Sequence, residues 1–66
     1  MWQEYRAGYG GKYEQKVCVD LSKVVAFQEY ADGISIIHMD YGRYLYVTRT
    51  YEEFKQDMID NGMIPL

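Results

Sequence analysis

Residues 34–54, Ile34-Ser35-Ile36-Ile37-His38-Met39-Asp40-Tyr41-Gly42-Arg43-Tyr44-Leu45-Tyr46-Val47-Thr48-Arg49-Thr50-Tyr51-Glu52-Glu53-Phe54, decide the fold, because the side-chain period changes within them. Over 34–39 the period is two, with Ile34, Ile36 and His38 on one face and Ser35, Ile37 and Met39 on the other. Asp40-Tyr41-Gly42-Arg43 is a turn. Period two resumes over 44–49, where Leu45 and Val47 oppose Tyr44, Tyr46 and Thr48. At Thr50 the pattern becomes helical. Thr50 and Glu53 have capping-box spacing, and Tyr51, Phe54, Met58 and Ile59 fall on one face. Asn61-Gly62 stops the helix, Met63 can fold back onto Met58, and Pro65 prevents resumption. A helix of about ten residues is not stable alone, so it must pack on the sheet.

Upstream, Asp32-Gly33 is a hairpin signal between 24–30, rich in β-formers, and the strand at 34–39. Residues 24–49 therefore form an antiparallel meander of three strands. Before it, Tyr13, Gln15, Val17, Val19 and Leu21 alternate with Glu14, Lys16, Cys18 and Asp20, and Asp20-Leu21-Ser22-Lys23 is a bend. Gly8-Tyr9-Gly10-Gly11 is a turn or loop. Residues 2–7 either pair back through it as a strand or form a loose arm. The expected fold is α+β: an antiparallel β-meander of four or five strands with one C-terminal helix on a sheet face. One domain fills 1–66, with a glycine and aromatic arm or first hairpin at 1–12, the β-meander at 13–49 and the helix at 50–62.

Composition narrows the function. Sixty-six residues allow one small domain. One cysteine cannot close an internal disulfide, and one cysteine with one histidine cannot complete a four-ligand zinc site. Stability must come from packing, turns and a possible partner chain. A hydrophobic fraction of 48% is too high for a disordered chain. The unpaired Cys18 and an N-terminus without an apolar signal core point to the cytoplasm, bacterial or of a host cell. The longest apolar run, Val24-Val25-Ala26-Phe27, falls far short of the roughly 20 residues a membrane helix needs. Cys18 and His38 lie in different strands with no orienting partner, and Gly11-Lys12 is followed by Tyr13 rather than Ser or Thr, so no nucleophilic or phosphate-loop pattern forms. No enzyme and no cofactor is expected.

Tyrosine and charge carry the binding argument. Eight tyrosines exceed what so small a core can bury with their hydroxyls satisfied. If Leu45 and Val47 face the helix, Tyr44 and Tyr46 face outward, with Tyr41 at the adjoining turn. An exposed aromatic sheet face suits a protein contact, a second small core or stacking on bases. Residues 1–49 hold six basic and six acidic side chains. The whole charge of −3 therefore lies in 50–66, where Glu52, Glu53, Asp57 and Asp60 face only Lys55. Glu53, Asp57 and Asp60 recur at i, i+4 and i+7, about 4–6 Å apart along a helix axis. They are either a solvated face or a ridge for a basic partner. Acidity there disfavours nucleic acid.

The order strand, Leu21-Ser22-Lys23-Val24 bend, strand, Asp32-Gly33 turn, strand, Tyr41-Gly42 turn, strand and Thr50-led helix resembles the FlbD family of small flagellar regulatory proteins. It also resembles the β-rich LytTR DNA-binding domains of response regulators. Val24-Val25, Gly42 and Val47 carry the likeness, which covers about two thirds of the chain. LytTR-type DNA contact implies basic residues beyond the last strand, where this chain is acidic, so no functional residue carries over. The expected function is a non-enzymatic protein-binding module, a regulator or a phage or mobile-element type of inhibitor that occupies a surface of a larger protein. Tyr41, Tyr44 and Tyr46 would anchor it, Glu53, Asp57 and Asp60 would steer it to a basic surface, and a homodimer is allowed. The alternative is a nucleic-acid-associated regulator using the tyrosine face and scattered Lys and Arg.

Overall fold

The computed structural model of the chain describes residues 1–8 and 14–65. Most of the expected glycine turn, and Tyr13, lie outside the described residues. The elements are β1 (Trp2–Ala7), β2 (Gln15–Asp20), a 3-10 turn (Leu21–Lys23), β3 (Val24–Ala31), β4 (Ile34–Met39), β5 (Tyr44–Val47) and α1 (Tyr51–Asp60). Residues 2–7 are thus a strand rather than an arm. The last strand ends two residues before the expected Arg49. There the Arg49 carbonyl instead accepts from the hydroxyl of the fully buried Ser35, at 2.8 Å.

One antiparallel sheet holds all five strands, in the order β2-β1-β5-β4-β3. The meander is β3, β4 and β5, while β2 pairs with β1 and not with β3. β1 joins the meander through the single pair Ala7 and Val47, flanked by bonds from the Gly8 amide to the Tyr46 carbonyl and from the Thr48 amide to the Arg6 carbonyl. The two edges, β2 and β3, are joined by only three residues. Asp20 to Val24 can span at most about 14 Å, whereas the edges of a flat five-stranded sheet lie about 19 Å apart. The sheet must therefore curl. The Asp20 carboxylate secures the joint by accepting from the Ser22 hydroxyl (2.7 Å) and amide (3.1 Å), and the bond from the hydroxyl is the first cause that holds its carboxyl below the ordinary range.

The concave face carries the core. Tyr5 lies opposite Val17, and Phe27, Ile37 and Leu45 run across three strands. Phe54 and Met58 of α1 close the cluster of Tyr5, Val19, Leu21, Ile37, Met39 and Val47. Phe54 packs at 5.4 Å on Tyr5 and 5.1 Å on Phe27, ring centre to ring centre.

Both helix ends follow local chemistry. The Thr50 hydroxyl accepts from the Glu53 amide at 3.0 Å, and the Glu53 carboxylate accepts from the Thr50 amide at 2.9 Å. Such caps contribute about 1 kcal/mol. At the other end the Gly62 amide donates to the Ile59 carbonyl and the Met63 amide to the Met58 carbonyl. This bond pattern needs a left-handed residue, which Gly62 supplies at φ 75°.

Candidate protein-contact face and the acidic helix

Alternation along β5 settles which residues reach the convex face. Leu45 and Val47 turn into the core, so Tyr44 and Tyr46 turn away from it. Pairing brings Tyr46 beside Ile36 and Tyr44 beside His38, with Gln28 next to Ile36 on β3. Tyr30 meets Tyr46 edge-on at 5.0 Å, and Tyr44 meets Tyr46 edge-on at 5.9 Å. His38 lies 6.2 Å from the Tyr44 ring, and its Nε2 donates to Gln28 Oε1 at 3.0 Å. Ile36 is only 9% exposed although it points away from the helix. The convex face therefore holds a second, smaller aromatic cluster whose outermost ring, Tyr44, is 58% exposed.

Tyr41 is set apart from that cluster. It lines a cleft with Trp2, Lys23 and Arg43 at the joint of the curled sheet. Cys18 is exposed on β2 and His38 lies on β4, with β1 and β5 between them in the sheet.

The three acids of α1 have separate roles. Glu53 caps the helix and lies 3.7 Å from Arg49, and its carboxyl is held down first by the bond from the Thr50 amide. Asp60 accepts from the Gln56 side chain at 2.8 Å. Asp57 turns inward, with its side chain only 12% exposed. It accepts from the Tyr5 hydroxyl (2.9 Å) and from Arg49 Nε (3.0 Å) and Nη2 (2.7 Å). The i, i+4, i+7 spacing is retained, but its central member is engaged inside the domain. Sequence reasoning passed over Tyr5 and Arg49. The available signal was the short alternation Gln3, Tyr5, Ala7, which places Tyr5 on the same face as small or polar neighbours.

Burial, then the bond to Asp57, pushes the Tyr5 hydroxyl well above its ordinary value of 10. In the unfolded chain this phenol ionises near 10, while in the folded chain it keeps its proton. Unfolding thus releases a proton at high pH, and the stability this group supplies is present below pH 10 and lost as pH rises above it. Urea midpoints at pH 8 and pH 11 should fall further for the parent chain than for Tyr5→Phe. Equal falls would exclude Tyr5 as the alkaline-sensitive group.

Among the described residues, no helix is long and apolar enough to cross a membrane, and no group of three or more His, Cys, Asp or Glu side chains could hold a metal ion. Comparison with protein-family models, with curated proteins and with solved structures finds no match to this chain.

Proposed function

We propose that the chain is a non-enzymatic, cytoplasmic protein-binding module. It acts as a regulator or as a phage or mobile-element type of inhibitor, by laying its convex sheet face on a larger protein. The observation that supports this reading is the Tyr30, Tyr44 and Tyr46 cluster over Ile36. Among the described residues the helix packs on the other face of the sheet, and Tyr44 stands 58% exposed on this one. Rings packed edge to face are rigid and amphipathic, so they cover a partner at low entropic cost, as aromatic contact residues do. Glu53 and Asp60 lie on α1, across the sheet from this face, so they add only long-range acidic steering toward a basic partner and no direct contact. Asp57 is left out of the contact because Arg49 and Tyr5 already occupy it.

The tagged full chain and its Tyr44→Ala and Tyr44→Ala/Tyr46→Ala variants should be compared in pull-downs from host lysate. The parent is expected to retain one larger protein that both variants lose. Tyr44→Ala should unfold at the parent's temperature, and the double variant should remain cooperative. Undiminished capture by the folded double variant would sink the reading. Capture that does not weaken with added salt would remove Glu53 and Asp60 from it.

A further inference from the structure

The cleft at the joint of the curled sheet has a composition that the proposed contact face does not explain. It measures about 440 Å³, within the range of small-molecule sites. Its floor is Val17, Val19, Met39 and Leu45, and its mouth carries Trp2, Tyr41, Lys23 and Arg43. Trp2 is 67% exposed and Tyr41 63%, so two large rings stand open beside an apolar floor. Two cations face one lining carboxylate, Asp20, which already accepts twice from Ser22. Lys23 has only a long contact of 3.9 Å to Asp40 between half-exposed side chains. Arg43 has no side-chain partner among the described residues. An apolar, aromatic-rimmed recess whose mouth carries the unpaired Arg43 guanidinium favours an anion with an apolar body over a cation of the same body.

We propose that this cleft binds a small anionic amphiphile, an apolar body ending in one carboxylate. The body lies on Val17, Val19, Met39 and Leu45 beneath Trp2 and Tyr41. The carboxylate accepts from Arg43, whose planar fork suits it, and from Lys23.

The chain carries its own reporters. Trp2 is its single tryptophan, and Cys18, which also lines the cleft, is its single cysteine and is exposed. Sodium decanoate, below its micelle concentration, should be titrated into the full chain while Trp2 emission is followed. Decanol and decyltrimethylammonium serve as neutral and cationic bodies of equal length. The expected result is a saturable change with decanoate, binding about tenfold weaker for decanol, and none for the cation. Bound decanoate should slow alkylation of Cys18 by iodoacetamide several-fold. Arg43→Gln/Lys23→Gln, which alters exposed side chains only, should weaken decanoate about tenfold with an unchanged circular dichroism spectrum. No saturable response to decanoate, equal affinity for all three head groups, or unprotected Cys18 at saturation would each overturn the proposal.

Discussion

Phe54→Ala is expected to leave about half of the molecules unfolded at 25 °C. Phe54 is fully buried and touches both halves of the sheet, Tyr5 on β1 and Phe27 on β3. Truncating a buried phenylalanine costs about 3–5 kcal/mol, because transfer energy is lost and a cavity remains. A single core in a chain of this size supplies only about 3–5 kcal/mol of net stability. The two figures are equal within their spread, so the folded and unfolded populations become comparable. The helix has no other anchor of comparable size, since Met58 is smaller and the cap at Thr50 is worth only about 1 kcal/mol. Circular dichroism at 222 nm and urea titration check this. The variant should show no folded baseline in buffer, whereas Val25→Ala, at an exposed position, should match the parent. A cooperative Phe54→Ala transition within a few degrees of the parent would mean that the helix does not complete the core.

The same residues explain what was legible beforehand. Thr50 with Glu53 and Asn61 with Gly62 are local signals. Their chemistry lies within a few residues, so the helix ends follow the sequence closely. The Asp32-Gly33 and Tyr41-Gly42 turns are equally local, and both glycines take positive φ. The outward placement of Tyr44 and Tyr46 followed from the inward placement of Leu45 and Val47, because strand faces alternate. Strand order was not legible. β1 lies between β2 and β5 because Ala7 meets Val47, forty residues away in sequence, and alternation sets the face of a strand but not its neighbour. The curl was hidden for the same reason. A three-residue bend constrains the sheet only once β2 and β3 are known to be its opposite edges.

The rings of the aromatic cluster have two different roles. Tyr46 and Tyr30 supply packing over Ile36, which is a structural role, while Tyr44 stays largely in water. Rings that support one another need less ordering on contact, so the structural role of Tyr46 strengthens the case for Tyr44 as the anchor.

Asp57→Ala is expected to lower stability by about 2–3 kcal/mol, the second-largest effect among single changes. It removes three acceptor contacts at once, and the Tyr5 hydroxyl, on a ring in the core, is left without its acceptor. Breaking a fully buried pair would cost more, but the Arg49 side chain is 35% exposed and can be hydrated or swing to Glu53, so screening reduces the loss. For a domain of this size the loss corresponds to a fall in midpoint of roughly 10–20 °C. A double-mutant cycle separates the contributions. Tyr5→Phe should cost about 1 kcal/mol alone. It should cost almost nothing once Asp57 is alanine, because the hydroxyl then has no acceptor to lose. Additive losses in urea titrations would mean that the two groups are not coupled. If Asp57→Ala instead kept the parent's stability yet lost the captured partner, Asp57 would belong to the contact surface after all. The acidic stripe of α1 would then act as one ridge, rather than as a cap, an internal tie and an exposed acceptor for Gln56.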